Sequence, residues 1–329
     1  MKTILLLFIF SVSFISLSQD TTSVLFIGNS FTFYNNMPFI FKDIATAKGK
    51  NVIVDTCVSG GKDLNFHSKR ARTYQMIKAR KWDYVILQGH SNEFAQPDSK
   101  VDTMTFPYAK QIIDSIRLFN PCTRVNLYMT WGYKNGNKKW KPIATYDSMQ
   151  MRIESQYLRF ADKLNTGVHP VGMVWKEVRE SNPEINLYHE DRFHPILSGS
   201  YLSACTHFAT IFGETPYMNT AQVDLDSFQR EVIEIAATKT VLNNLARWRY
   251  LPVQRPLETG FDIIQNGNTT QLVNNAKNYY AFTWDFGDGT TSSEPNTSYQ
   301  YKTKGEYIIT QRIAHNCKQN SLQRKIIIN

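Results

Sequence analysis

The sequence has only four cysteines among its 329 residues, Cys57, Cys122, Cys205 and Cys317, and they lie far apart. This spacing excludes the CxxC pattern of zinc sites and thiol-redox sites. Disulfide pairing in an oxidising compartment and packing as small buried apolar side chains are both compatible with so few cysteines. The fold must therefore rest mainly on an ordinary hydrophobic core.

The sequence also lacks a concentrated stretch of positive charge. Lysine and arginine total 37 against 28 aspartates and glutamates, a formal net charge of +9, but no basic run exceeds two residues. Nucleic-acid-binding proteins usually concentrate basic residues in one stripe with interleaved aromatic side chains. The seven histidines form no HExxH or similar ligand pattern. We therefore expect no nucleic-acid partner, no metal and no other cofactor.

The first 18 residues have the pattern of a secretory signal peptide. Lys2 precedes an apolar run over residues 4–10, and Ser16 and Ser18 form a small-residue cleavage site. The apolar stretch is interrupted by serines and is shorter than the roughly 20 residues that span a membrane. No cysteine follows it closely, and no later stretch reaches that length. We predict removal of residues 1–18 and a soluble secreted protein, extracellular or periplasmic, without a transmembrane anchor.

Two segments of different periodicity follow this leader. Between residues 19 and 250, apolar runs end at Ile27, Val54, Leu87 and Met129, and amphipathic stretches with helical spacing lie between them. This alternation predicts an α/β domain whose parallel sheet is covered by helices on both faces. Ligands of such folds bind at the carboxyl ends of the strands. The loops that follow these four runs are therefore the candidate functional loops.

The character of the chain changes after this segment. Residues 251–259 contain two prolines and no periodicity, which predicts a linker. Residues 260–329 have short β-branched and aromatic runs separated by glycine, aspartate and asparagine. This pattern is typical of a small Ig-like β-sandwich.

Two polar motifs of the first domain suggest a nucleophile and its base. Ser30 comes two residues after Gly28, directly beyond the first apolar run. A serine in this position can act as a nucleophile or simply cap a helix. Asp191 precedes His194 by three residues, so its carboxylate can reach Nδ1 of the imidazole and leave Nε2 to accept the serine proton. His189 is a weaker candidate, since no carboxylate lies three residues before it. Each motif alone is also typical of an ordinary turn or a surface ion pair.

Two further loops offer hydrogen-bond donors for an oxyanion. Gly60 and Gly61 follow the second run, where a glycine exposes its N–H and lets a substrate approach closely. Gln88 and Asn92 follow the third run and carry neutral side-chain amides. Each loop alone is compatible with a simple turn. Because all these loops fall at strand ends or near the last helix, we expect them to converge on one cleft.

With these motifs the first domain, residues 22–247, resembles the SGNH/GDSL hydrolase superfamily. Its GNSFT string stands at the nucleophile block of that family, and its DRFHP string stands at the terminal DxxHP block. The resemblance implies a flavodoxin-like three-layer α/β/α fold. It also implies that Ser30 is the nucleophile, that His194 is the general base and acid, and that Asp191 orients the histidine.

The same resemblance implies an oxyanion hole made by the N–H of the nucleophile, the N–H of Gly60 or Gly61, and a side-chain amide. The chain departs from the family at Asn29, which replaces the usual aspartate, and in the third block. That block reads QGHSN and is similar to the QGESN of sialate O-acetylesterase-like and acetylxylan-esterase-like members. We therefore expect Gln88 to be the amide donor, with Asn92 as the second choice.

The expected activity is that of a secreted serine esterase that removes O-acetyl groups from carbohydrate through an acyl-enzyme. Its substrate would be an acetylated carbohydrate or another small ester. Trp131, after the fourth run, either stacks on a sugar ring at the mouth of the cleft or serves as a structural residue. The alternatives are a lipase or lysophospholipase of the same family, and a non-catalytic cell-surface glycan-binding protein.

The C-terminal segment resembles a PKD domain. The resemblance rests on the string WDFGDGT at residues 284–290, followed by two short tyrosine motifs. Trp284 and Phe286 alternate on one face of a strand, so we expect both to fill the sandwich core, and Asp288-Gly289 to form the turn. The resemblance implies an extracellular Ig-like module that contacts glycans or proteins.

Overall fold

The computed structural model describes residues 21–249, 257–279, 281–315 and 318–329. The predicted signal peptide, residues 1–18, and residues 251–256 of the predicted linker lie outside the described residues. Among the helices of the described residues, none combines the length and the apolar character that a bilayer crossing requires.

The first domain is built on a parallel sheet of five strands in the order β2-β1-β3-β4-β5. The strands are β1 (Thr22–Gly28), β2 (Val52–Val58), β3 (Tyr84–Leu87), β4 (Arg124–Tyr128) and β5 (Gly167–His169). Val24 of β1 is in register with Val54 of β2 on one side and with Tyr84 of β3 on the other. Strand order therefore reverses direction at β1, which is the kind of position where open α/β sheets bind ligands.

Helices cover both faces of this sheet, as the sequence predicts. The helices of the first domain are α1 (Ser30–Phe33), α2 (Met37–Ala47), α3 (Leu64–Lys69), α4 (Ala71–Lys78), α5 (Ser91–Phe94), α6 (Asp98–Met104), α7 (Phe106–Phe119), α8 (Tyr146–Leu164), α9 (Val171–Ser181), α10 (Leu197–Phe212) and α11 (Ser227–Leu242). Short 3-10 helices cover Tyr34–Asn36 and Lys141–Ile143.

Alternate residues of β1 belong to two different hydrophobic cores. Val24 and Phe26 pack in the core that includes buried side chains of α2, α9, α10 and α11. Leu25 and Ile27 pack in the core that includes buried side chains of α4, α7 and α8. Because both faces of the strand are covered, its side chains are apolar without alternation. The prediction of a three-layer α/β/α domain with a parallel sheet is confirmed.

The C-terminal unit consists of two antiparallel sheets, with strand orders β10-β7-β6 and β12-β11-β8-β9. The strands are β6 (Phe261–Asn266), β7 (Thr269–Asn274), β8 (Ala281–Asp285), β9 (Thr291–Ser292), β10 (Thr297–Gln300), β11 (Gly305–His315) and β12 (Lys318–Ile328). A bridge between Glu258 and Lys277 precedes β6. The chain is thus already part of this unit before Gly260.

The core of the C-terminal unit contains the aromatic residues that the sequence places on one face of a strand. Trp284 and Phe286 are both buried, and Phe286 stacks on Tyr299 with ring centroids 4.0 Å apart. Gly287 and Gly289 have φ angles of +84° and +89°, a conformation that favours glycine and forms the predicted turn. The prediction of a small β-sandwich is confirmed.

The cysteines are used in more than one way. Cys57 and Cys205 are free thiols buried in the two cores of the first domain. Cys122 is disulfide-bonded, and Cys317 lies outside the described residues. The two interpretations that the sequence leaves open, pairing and core packing, therefore both occur in this chain.

Candidate active site

Three loops meet where β1, β2 and β3 end. Asn29, which follows β1, donates its backbone N–H to Gln88 Oε1 at 2.7 Å and its side-chain Nδ2 to the carbonyl of Lys62 at 2.9 Å. The first bond joins the loop after β1 to the loop after β3, and the second joins it to the loop after β2. Ser59 N–H, which also follows β2, donates to Gly28 O at 3.0 Å. These bonds fix the backbone around Ser30 from both sides.

Ser30 lies within hydrogen-bonding distance of a histidine that is 164 residues away in the sequence. His194 Nε2 is 2.8 Å from Ser30 Oγ, and His194 Nδ1 is 2.6 Å from Asp191 Oδ2. The Ser30 side chain is mostly buried, and its N–H is the first of α1, so it has no acceptor inside that helix. The structure therefore brings the three residues into the hydrogen-bonded order serine, imidazole, carboxylate.

A short closed loop holds Asp191 and His194 in this position. His189 N–H donates to His194 O at 2.8 Å, and an isolated antiparallel bridge joins Tyr188 to Pro195 at the ends of the loop. Arg192 turns the chain between them with a φ of +71°. The Asp191 carboxylate and the His194 imidazole are therefore presented by the same turn.

The ionisation of Asp191 is stabilised by its hydrogen bonds. Its partial burial alone would raise the pKa of the carboxyl group. Hydrogen bonds from the backbone N–H groups of Phe193 and His194, and from the His194 ring, outweigh this effect and lower the pKa. His189 Nδ1 lies farther from the carboxylate, at 3.5 Å, and its side chain is half exposed. Asp191 is thus an anion that orients His194 in preference to His189.

Aromatic rings pack around the His194 imidazole. Tyr34 stacks on it in parallel, with ring centroids 4.3 Å apart and planes 5° apart. Phe31 lies at the same imidazole with a centroid separation of 5.6 Å. Next to Tyr34, Phe33 is 38% exposed. Phe33 therefore presents an aromatic surface to solvent one residue away from a ring that contacts His194.

Trp131 does not have the role of a sugar platform. Its side chain is completely buried, stacks on Trp175 with centroids 3.9 Å apart, and donates from Nε1 to Phe193 O at 2.9 Å. A sugar ring cannot reach an indole that is covered on all sides. The expectation of stacking was wrong, and the structural alternative applies: Trp131 supports the loop that carries His194.

The structure also contradicts the preference for Gln88 as the oxyanion donor. Gln88 is buried, and its Oε1 accepts hydrogen bonds from Asn29 N–H and Thr32 Oγ1, while its Nε2 donates to Gly89 O. Both ends of the amide are therefore used inside the protein. A Cβ atom on Gly28 would collide with Gln88 Oε1, so glycine is needed at that position. Gln88 supports the loop that carries Ser30.

Asn92 and Gly61 line the same cavity, which has a volume of about 330 Å³. The side-chain oxygen of Asn92 accepts a hydrogen bond from Asn137 Nδ2 at 3.1 Å. Gly60 and Gly61 are exposed, and Gly61 has a φ of +65° in the turn closed by the bond from Lys62 N–H to Ser59 O. The predicted glycine loop and the second-choice amide thus lie along one cavity.

His90 lines this cavity as well, although the sequence analysis does not name it as a site residue. Its Nδ1 accepts a hydrogen bond from Asn92 N–H at 3.2 Å, so the neutral ring carries its proton on Nε2. Burial and the neighbouring His194 lower the pKa of His90, which favours this neutral form. The Glu93 carboxyl group accepts from His90 N–H at 2.6 Å and fixes the backbone. The sequence does mark this position, since His90 is the central residue of the QGHSN string.

The described residues contain no cluster of three or more histidine, cysteine, aspartate or glutamate side chains arranged to hold a metal ion.

Comparison with known proteins gives matches to both domains of the chain. Residues 256–326 match the family described as the PKD domain. The crystal structure of a DUF4886 family protein from Bacteroides uniformis is similar over 68% of this chain and 95% of that protein, with 21% identity and a TM-score of 0.60. No protein of curated function matches the sequence.

Solved structures of lower similarity include proteins described as SGNH or GDSL-type hydrolases. An acetyl xylan esterase, AlAXEase, is 14% identical, covers 58% of this chain and 100% of its own length, and has a TM-score of 0.46. The N-terminal part of the chain is a parallel α/β domain, and residues 256–326 of the C-terminal part match the PKD domain.

Proposed function

We propose that the SGNH-like domain is a serine esterase that removes acetyl groups from carbohydrate. The observation that carries this proposal is the hydrogen-bonded series Ser30, His194 and Asp191, with separations of 2.8 and 2.6 Å. A serine hydroxyl is a weak nucleophile until an adjacent base removes its proton, and here the base is already oriented by a carboxylate. This arrangement suits nucleophilic attack on an ester carbonyl.

The reaction then has two steps. Ser30 Oγ attacks the ester carbonyl while its proton moves to His194 Nε2. The bond between the carbonyl carbon and the sugar oxygen then breaks, and the proton passes to that oxygen, so that the sugar leaves as an alcohol and the acyl-enzyme remains. In the second step His194 removes a proton from water, the hydroxide attacks the acyl carbonyl, and Ser30 leaves with the proton restored. Asp191 keeps the imidazole in the required tautomer throughout. General-base action of this kind contributes roughly 10²–10⁴-fold.

Three donors are proposed to hold the oxyanion that forms on the carbonyl oxygen. The first two are the Ser30 N–H and the N–H of Gly60 or Gly61. The third is Nε2–H of His90, in place of the Gln88 amide. His90 supports this role because Asn92 N–H occupies its other nitrogen and because the ring lines the cavity together with Gly61. A neutral donor stabilises negative charge on the substrate without forming a competing ion pair with Asp191.

The side chains around the site support a polar substrate. The lining of the cavity beside His90 includes the polar residues Asp63, Gln96, Lys100 and Thr105, together with Met104. A sugar presents hydroxyl groups that match such a lining, whereas a long alkyl chain would leave these groups unpaired. We therefore place acetylated carbohydrate ahead of lipid as the substrate class. The PKD domain is proposed to provide contacts to extracellular glycan or protein.

Acetate release from a panel of acetylated polysaccharides, with an aryl acetate and longer aryl esters beside it, tests this function. The wild-type protein should release acetate, and Ser30→Ala should reduce turnover to background. Ser181→Ala, at the exposed end of α9, is the matched control and should retain full activity. Undiminished turnover in Ser30→Ala would remove the proposal. A steep rise in rate with acyl length beyond acetyl would replace it with a lipase.

A further inference from the structure

A basic groove adjoins the candidate active site. Its volume is about 510 Å³, and its lining includes Gly61, Lys62, Asp63, Phe66, Lys69 and Arg70. Gly61 and Asp63 also line the cavity that contains His90. The groove therefore begins at the glycine loop proposed to bind the oxyanion and extends along α3.

The cations of this groove are arranged around aromatic rings. Lys62 Nζ lies 5.2 Å from the centroid of the Phe66 ring, and Arg70 Cζ lies 5.5 Å from the same centroid. Lys69 Nζ lies 5.4 Å from the ring of Tyr108. Cation–aromatic contacts of this length hold the charged groups near the ring faces but leave their N–H donors available.

These three cations have little carboxylate nearby to neutralise them. In the described parts of the chain, Lys62, Lys69 and Arg70 take part in no ion pair within 4.0 Å. The acidic residue of the lining is Asp63, whose Oδ1 accepts from the Phe66 N–H at 2.8 Å and caps α3. Three positive charges against one negative charge make the groove attractive to anions.

We propose that this groove is a subsite for an anionic sugar next to the acetylated sugar, so that the natural substrate is an acidic glycan that carries carboxylate groups. Arg70 offers the planar donor fork that pairs with a carboxylate, and its Nη1 bond to Val58 O at 3.3 Å fixes its position. The part of this inference that concerns deacetylation of the acidic glycan rests on the proposed esterase function.

The double variant Lys62→Gln and Lys69→Gln tests the subsite without altering the triad. Its KM for acetylated uronic-acid oligosaccharides should rise about tenfold at low salt, because two charge-assisted contacts are lost. Its KM for neutral acetylated xylo-oligosaccharides and its turnover of aryl acetate should not change. The matched control is Lys78→Gln with Lys81→Gln: Lys78 also lies over a phenylalanine ring, but both residues precede β3 at the opposite edge of the sheet.

Binding of a deacetylated uronic-acid oligosaccharide, measured by calorimetry, separates the subsite from the esterase function. The wild type should bind it in a salt-sensitive manner, and the double variant should bind about tenfold more weakly, whether or not the protein releases acetate. Equal affinity in the two proteins, or an equal rise in KM for neutral and acidic substrates, would overturn the subsite. Binding of sulfated but not carboxylated oligosaccharides would overturn the carboxylate assignment.

Discussion

The ring of Tyr34 lies flat on the imidazole of His194, with ring centroids 4.3 Å apart and planes 5° apart. Tyr34 directly follows α1, the helix that begins with Ser30, whereas His194 belongs to a loop far along the chain. The stacking therefore joins the element that carries the proposed nucleophile to the loop that carries its base. It restricts rotation of the imidazole about the axis that the Asp191 hydrogen bond leaves free.

Replacing Tyr34 by alanine should lower kcat while leaving KM nearly unchanged. An aromatic pair contributes about 0.5–1.5 kcal/mol, which corresponds to a loss of roughly two- to tenfold if it acts on the transition state. Tyr34→Phe keeps the ring and serves as the matched control, which should retain the wild-type rate. Steady-state kinetics on an aryl acetate measures both. An equal loss of kcat in the alanine and phenylalanine variants would show that the stacking of the ring on His194 does not affect the rate.

Replacing His90 by alanine should reduce kcat strongly, because one oxyanion donor contributes about 10²–10³-fold. KM should change little, since the donor acts mainly on the transition state. His189→Ala is the control, since that half-exposed histidine lies 3.5 Å from Asp191 and is assigned no donor role. A wild-type rate in His90→Ala, with a large loss in Asn92→Ala, would transfer the donor role to Asn92.

Replacing Asn29 by aspartate should weaken the link between the nucleophile loop and the glycine loop. An aspartate keeps the acceptor for Phe31 N–H but cannot donate to Lys62 O, and it places a negative charge near that carbonyl. We expect a loss of about 1–3 kcal/mol in the free energy of unfolding. Urea denaturation measures it, with the exposed Asn51→Asp as the control. Unchanged stability would mean that this bond does not hold the loops together.

The lowered pKa of Asp191 predicts the pH dependence of its contribution to stability. Because the folded state lowers this pKa, the contribution is fully present above the ordinary carboxyl pKa of about 3.9 and is lost as pH falls through the folded-state value. The difference in unfolding free energy between wild type and Asp191→Asn should therefore shrink below about pH 4. A difference that stays constant down to pH 2 would contradict the lowered pKa.

Much of the fold could be predicted because its signals are local. The runs that end at Ile27, Leu87 and Met129 stop within one residue of the ends of β1, β3 and β4. The run that ends at Val54 stops four residues before the end of β2 at Val58. The fifth strand, β5, has only three residues, Gly167–His169, and no apolar run in the sequence predicts it. The apolar residues of α9 and α11 are interspersed with charged ones, and the burial of both helices depends on packing against α10.

The features of the site that depend on residue spacing and on the position of strand ends could be predicted from the sequence. The interval of three between Asp191 and His194 is a local property, and it places the two side chains in contact on one turn. The orientation of a side chain at a strand end is a tertiary property. Gln88 turns inward to hold Asn29 and Thr32, and Trp131 turns inward to stack on Trp175. No pattern in the sequence distinguishes these inward directions from outward ones.

The most direct measurement of the central claim is the labelling of folded protein with a serine-reactive fluorophosphonate, followed by peptide mass mapping. Such a reagent modifies a serine hydroxyl that a neighbouring base has activated. The account predicts one stoichiometric adduct on Ser30 in the wild type, and its absence in a folded His194→Ala variant. No adduct on Ser30 in the wild type, or equal labelling in both proteins, would contradict the claim that His194 activates Ser30.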